Sequence, residues 1–355
     1  MSEWAPNPRL EETAHKLRYV VRHDDASSGG MVMSLTAVVA LLLLAAPLAV
    51  EAQQAGQAVH TVGVLMPQSV HVYPSYAAFL ETLRLLGYHQ DGNLRLLLRS
   101  ADGKLDRLPA LATELVAARV DVIVAVNTPG ARAAIQATKQ IPIVMTQVGD
   151  PVGSGFVSNL ARPGGNVTGI SNMVAELATK RLSLLKEAVP SAKRIALMFN
   201  PEDPITVPQM RDAERAAPLL NVEIRFFPVR ATTNLPETFK HMLAWRADAA
   251  LWIAGQQQAF QSRTIELAAK HRLPVMVSTP QDVEAGGFIS YFADLFEMYR
   301  RTAVYVDRIL KGVKPGDLPV EQPTKFELAI NLKTAKAIGL TVPSSLRVQA
   351  DRVVE

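Results

Sequence analysis

From Thr61 onward, short apolar runs alternate with stretches whose apolar residues recur every three to four positions. Thr61-Val-Gly-Val-Leu-Met66 is apolar at nearly every position, the pattern of a strand buried on both faces of a parallel sheet. A helix is predicted over Tyr76–Leu86, closed by Gly87 at the C′ position. A second helix, Asp106–Arg119, places Leu108, Leu111 and Leu115 on one face, with Asp106 as its expected N-cap. Strand Asp121–Val126, the polar turn Asn127-Thr128, helix Ala131–Lys139 and strand Pro142–Val148 follow.

A second series starts at strand Arg194–Phe199. It runs through helix Val207–Leu220, strand Val222–Phe227, helix Leu235–Trp245, strand Asp248–Ala254, helix Phe260–His271 and strand Pro274–Ser278. Strands alternating with helices of this length make parallel βαβ units. The two series share a grammar. Asp121–Pro142 and Asp248–Pro274 both read Asp, apolar strand, polar turn, helix, then Ile-Pro or Leu-Pro before the next strand. The expected fold is α/β, with two similar open parallel-sheet domains. One comprises residues 60–170 plus 288–321, the other 171–287 plus 322–355. Three crossings are expected, near Ile170-Ser171, near Phe288–Phe292 before the amphipathic helix Leu295–Leu310, and in Leu318-Pro-Val-Glu-Gln-Pro323.

Residues 1–52 read differently. A polar, charge-mixed leader precedes the apolar run Leu35–Val50, which is too short to span a bilayer and suits the core of a signal peptide. Val50-Glu51-Ala52 offers small residues for cleavage, so a mature chain beginning at Gln53 in the periplasm is expected.

Composition narrows the chemistry. The 355 residues are 48% hydrophobic and contain no Cys, which excludes disulfides, thiolate metal sites and cysteine nucleophiles. The net charge of +4 is spread along the chain, unlike the concentrated charge of a nucleic-acid binder. No phosphate loop, Gly-x-Gly-x-x-Gly, His-Glu-x-x-His or Gly-x-Ser-x-Gly occurs, and the seven histidines are scattered. No catalytic, metal or cofactor residue is therefore assigned. What remains are polar residues at the carboxyl ends of parallel strands, where open α/β sheets bind ligands. In the first half they are Gln68, Ser69, Asn127, Thr128 and Gln147 to Asp150. In the second they are Asn200, Gln256, Ser278 and Thr279. Thr128 precedes a helix N-terminus suited to a carboxylate, and Asp150, held extended by Pro151, is free of helix capping and can face an ammonium.

Several motifs occur in order: Val148-Gly-Asp-Pro-Val-Gly153, Asn159-Leu-Ala-Arg-Pro-Gly-Gly-Asn-Val-Thr-Gly-Ile170, Arg181-Leu-Ser-Leu-Leu-Lys-Glu-Ala-Val-Pro190, Asn200-Pro201, Ala268-Ala-Lys-His-Arg-Leu-Pro274, Glu284-Ala-Gly-Gly287 and Pro323-Thr-Lys-Phe-Glu-Leu-Ala-Ile-Asn-Leu-Lys-Thr-Ala-Lys336. Over residues 60–355 the chain resembles bacterial ABC transporter substrate-binding proteins, some of which bind tryptophan and other aromatic amino acids. The resemblance implies a type I periplasmic-binding fold, a small-molecule solute, a permease partner and a monomer. Thr128-Pro129, Asp150, Asn200 and Asp294 stand at its cleft motifs. Gly255-Gln256 replaces the usual Gly-Asp, and Phe292-Ala293 the usual Gly-Pro, which bears on the ligand and not on the fold. Three readings stay open: an exported solute receptor, a membrane-tethered sensor of the same fold, and an α/β transferase.

Overall fold

The computed structural model describes residues 59–174, 177–201, 206–253 and 258–355. The predicted leader and signal segment, and Gln256, lie outside them. No helix among the described residues is long and apolar enough to cross a membrane.

The first lobe is built from β1 (His60–Met66), α1 (Tyr76–Leu85), β2 (Leu94–Ser100), α2 (Leu108–Ala117), β3 (Val122–Val126), α3 (Asn127–Ala137), β4 (Ile143–Val148) and β5 (Val167–Ser171). Its sheet is parallel, in the order β2-β1-β3-β4-β5. The two-residue period of a strand divides its apolar side chains between two cores. Val62, Val64, Met66, Val122 and Val124 pack with Phe79 and Leu83 of α1. Leu65, Ile123 and Ala125 pack with Leu108, Leu111 and Leu115 of α2 on the other face.

The second lobe comprises α4 (Ala178–Ala188), β6 (Arg194–Phe199), α5 (Thr206–Ala216), β7 (Glu223–Pro228), α6 (Leu235–Ala244), β8 (Ala249–Trp252), α7 (Gln258–His271), β9 (Val275–Val277), α8 (Pro280–Glu284) and β10 (Ile289–Ala293). The chain then returns to the first lobe as α9 (Leu295–Leu310), whose Met298, Tyr299, Ala303 and Val306 join the core on the α1 face. It ends in the second lobe with β11 (Phe326–Asn331), α10 (Leu332–Ala337), α11 (Ser344–Gln349) and β12 (Arg352–Val354). Strand order there is β12-β11-β10-β9-β8-β6-β7, so β7-β6-β8-β9-β10 repeats the winding of the first sheet and antiparallel β11 extends it.

The shared grammar has a physical reason. Asp121, before β3, accepts the Thr61 N–H of β1 at 2.6 Å. Asp248, before β8, accepts the Lys193 and Arg194 N–H groups at 2.8 Å. The Pro142 carbonyl takes the Ile123 N–H, and the Pro274 carbonyl takes the Ala250 N–H. In each lobe the same residue types satisfy the entry backbone of the central strands.

Several predicted boundaries shift. α3 begins at Asn127 instead of Ala131, because Pro129 and Gly130 fit a first turn. Asp106 lies in a short 3-10 turn before α2 and does not cap it. β10 belongs to the second sheet, so the second crossing falls at Ala293-Asp294, beyond the expected Phe288–Phe292.

The crossings are tied together. Glu321 N donates to Gly169 O and its carbonyl accepts from Ser171 N, pairing the first crossing with the third. Arg301 of α9 holds the Glu321 carboxylate bidentately, at 2.8 and 2.5 Å, the strong form of an ion pair. Asp294 caps α9 by accepting the Glu297 N–H at 3.0 Å, and its other oxygen pairs with Lys325 at 3.0 Å. Gly169 runs at φ +140°, and a Cβ there would fall 1.9 Å from Met145 O. Gly169→Ala is therefore expected to cost on the order of 3 kcal/mol in denaturant unfolding. A loss of less than about 1 kcal/mol would mean that β4 and β5 can part there freely.

The Asp294 pair carries a pH dependence. Burial opposes its carboxylate, but the Glu297 N–H, Lys325 and Arg300 outweigh that and hold its pKa below the ordinary value. Its contribution is thus complete above the unfolded pKa near ~3.9 and fades as pH falls through the lower native value. Asp294→Asn keeps the cap and removes the charge. Its melting temperature should lie modestly below wild type at neutral pH, with the two curves converging below about pH 3. A constant offset at all pH values would mean that the charge is irrelevant.

Candidate functional site

The buried strands leave polar side chains at their carboxyl ends. Gln68 and Ser69 follow β1, Asn127 and Thr128 open α3 after β3, and Asp150 follows β4. Asn200 follows β6, Ser278 follows β9 and Asp294 follows β10. Topology therefore puts the described candidates at the carboxyl edges of the two sheets, the ligand edge of such folds.

Their side chains are not equally available. Asp294 engages one oxygen in the α9 cap and the other with Lys325. Asp150 was expected to be free of capping, yet its Oδ1 accepts the Gly153 N–H at 2.7 Å and its Oδ2 lies where a Cβ on residue 153 would fall. Pro151 excludes a helix start but not an Asx turn, so the carboxylate folds onto its own loop. The Gln68 carbonyl accepts the Ser100 hydroxyl, and its amide packs over Gly103. The Asn200 carbonyl accepts the Thr206 hydroxyl at 3.1 Å. Ser69 leads into the short turn Val70–Val72.

The structure does bring some candidates into clusters. Asn127 is buried at φ +62° and donates from Nδ2 to the Tyr73 hydroxyl at 3.0 Å. α3 has no side-chain cap, and the half-buried Thr128 hydroxyl makes no hydrogen bond. Gln147, at φ +59°, sits where the β4–β5 register shifts, and such a bulge re-aims its side chain. Asn172 on the first crossing fastens that bulge by donating to the Gln147 carbonyl at 3.2 Å. Desolvation pushes the Tyr76 hydroxyl up to about 12, and pushes Tyr73 and Tyr299 higher still. All three phenols therefore stay protonated donors at physiological pH.

In the second lobe Ser278 is buried and accepts from Gln261 Nε2 at 2.8 Å. Below it, fully buried Arg181 of α4 donates to the Trp252 carbonyl at the end of β8 and to the Val277 carbonyl at the end of β9, both at 2.9 Å. Burial lowers its pKa to about 10, with Asp282 acting in the opposite sense, so the guanidinium remains charged at neutral pH. Asp282 is raised by burial but held in a capping box with Thr279. This buried cation ties together the carboxyl ends of β8 and β9.

Tyr73, Tyr299, Arg181 and Gln261 were not singled out from sequence. Arg181 stood only at the start of a motif, Tyr299 and Gln261 only inside predicted helices, and Tyr73 in no predicted element. Among the described residues no cluster of three or more His, Asp or Glu could hold a metal.

Comparison with known proteins agrees with this architecture. A family model described as "ABC transporter substrate binding protein" matches residues 66–354. A tyrosine-binding protein of Clostridioides difficile (strain R20291) is 28% identical over 264 residues, covering 74% of this chain and 75% of that protein. A Streptococcus pneumonia ABC domain solved with L-Trp superposes with a TM-score of 0.77 at 27% identity, covering 84% of this chain and 100% of the other. A conserved domain protein from Vibrio cholerae superposes with a TM-score of 0.76 at 28% identity, covering 83% and 99%. The fold is that of type I periplasmic binding proteins. With two matched parallel sheets, polar strand ends and a family match over most of its length, the chain belongs to the ABC transporter substrate-binding proteins.

Proposed function

We propose that the protein is an exported receptor that captures one amino-acid-like solute between its lobes and hands it to the permease of an ABC importer. The observation that carries this reading is the start of α3. An uncapped helix N-terminus with an unbonded Thr128 hydroxyl follows a buried strand at the ligand edge of the sheet. Helix N–H groups and the helix dipole favour a carboxylate there. The relatives named for tyrosine and solved with L-Trp support an α-amino acid as the solute.

In this reading Asp150 supplies negative charge for the ammonium at the cleft rim. Gln68, Ser69, Asn127, Asn200 and Ser278 complete the lining, and Asp294 serves from behind by fixing α9. The receptor acts as a monomer without cofactor, metal or nucleic acid. A solute that prefers the closed lobes shifts the population by its differential affinity.

Secreted from a bacterial host, the protein should begin near Gln53 and be recovered from the periplasm. Calorimetry should show one-to-one binding of an aromatic amino acid. Recovery of intact, membrane-bound chain would favour a tethered sensor instead, and no binding of any common amino acid would overturn the amino-acid reading.

Asp150→Asn separates the roles of that side chain. Its amide oxygen can still take the Gly153 N–H, so the ligand-free melting temperature should hold. Loss of the charge should weaken amino-acid binding about tenfold or more. Unchanged affinity would leave Asp150 a turn residue only.

A further inference from the structure

At the carboxyl edge of the first lobe three buried polar side chains keep protons that find no acceptor. The Tyr73 hydroxyl accepts from Asn127 and keeps its own proton, for which the structure offers no acceptor. Tyr299 is fully buried, edge-on to Tyr76 with ring centroids 6.0 Å apart, and its hydroxyl meets only the Gln147 amide, so its own proton finds no acceptor. Gln147 Nε2 is likewise buried and has no partner beyond that phenol. The three belong to one cluster, since Gln147 and Tyr73 are polar neighbours of the Tyr299 hydroxyl. Buried polar groups are normally paired, and each exception calls for an explanation.

Two further features lie at the same place. Asn127 and Gln147 both adopt left-handed backbone at the ends of β3 and β4, a conformation that costs energy for side chains other than Gly. Unpaired donors and strain coincide at the edge where the proposed solute binds, so the local sequence has been shaped for something other than stability. Tyr73 and Tyr299 each keep a proton to donate and Gln147 brings an amide N–H, a set that a carboxylate can satisfy with its two acceptor oxygens.

We propose that Tyr73, Gln147 and Tyr299 form an acceptor-seeking subsite that takes the solute carboxylate beside the N-terminus of α3. Tyr73 and Gln147 contact the solute, and Tyr299 completes the donor set from behind. The inference rests on the amino-acid reading above and deepens it by assigning the carboxylate to phenol and amide donors as well as to the helix.

The test uses Tyr73→Phe and Tyr299→Phe in the purified full chain, each removing one oxygen. Scanning calorimetry reads the ligand-free melting temperature. Titration calorimetry reads binding of L-tyrosine, L-tryptophan and L-phenylalanine, and of tyramine and tryptamine, which lack the carboxylate. Each variant should bind the preferred amino acid about tenfold or more weakly, while any binding of the amines stays unchanged. The ligand-free melting temperature of Tyr299→Phe should hold or rise, because a buried hydroxyl whose proton has no acceptor has been deleted. Unchanged amino-acid affinity in both variants, with wild type binding, overturns the subsite alone. A lowered ligand-free melting temperature for Tyr299→Phe also overturns it, by showing that the hydroxyl serves packing. No binding of any of the three amino acids by wild type overturns the amino-acid reading and this inference with it.

Discussion

The central strands β1, β3, β4, β6, β8 and β9 are covered by helices on both faces, and this double burial governs where polar chemistry can sit. A side chain projecting from the middle of such a strand enters an apolar core, where an unpaired polar group is costly. A side chain just past the carboxyl end escapes that restriction while the strand still fixes its position. Two sheets wound in the same order therefore yield two rims of well-placed polar groups, and a cleft between rims is the fold's natural site.

Much of this was legible in sequence because a strand buried on both faces is apolar throughout, whichever way its residues alternate. The winding and the repeated Asp and Pro positions came from the same patterning, and the entry hydrogen bonds of Asp121 and Asp248 explain why the repeat exists. Edge elements were harder. β2 carries arginines among its leucines, and β5 contains Thr168 and Gly169, so neither reads as a buried strand. β10 looked like a crossing because its place in the second sheet depends on an antiparallel partner that lies beyond α9 in the chain.

The site was legible as positions but not as roles. Strand-end location picks out Asn127, Asp150, Ser278 and Asp294 equally, yet tertiary partners decide what each side chain does. Asp294 is bound to Glu297 N and Lys325, Asp150 turns onto Gly153, and Ser278 meets Gln261 from a different helix. Arg181 shows the converse. Nothing local marks it, because its carbonyl partners at Trp252 and Val277 lie 71 and 96 residues away. A buried guanidinium is costly to desolvate, and here that cost is offset by bonds to two carbonyls that fix the ends of β8 and β9 against each other.

The tie between the crossings sets where movement can occur. Glu321 is fastened to Gly169 and Ser171 by backbone pairing and to Arg301 by a bidentate ion pair, so that part of the third crossing moves with the first lobe. Phe326 already belongs to the second sheet. Bending in this crossing is thus confined to Gln322–Lys325, where Pro323 limits backbone freedom. In the second crossing the peptide between Ala293 and Asp294 separates a sheet strand from a capped helix, which leaves little slack. Lys325 and Asp294 face each other across these two short hinges, so their ion pair and the Asp294 N–H bond to the Lys325 carbonyl keep the hinges moving together. Short bending segments coupled in this way favour rotation of one rigid lobe against the other over local unfolding.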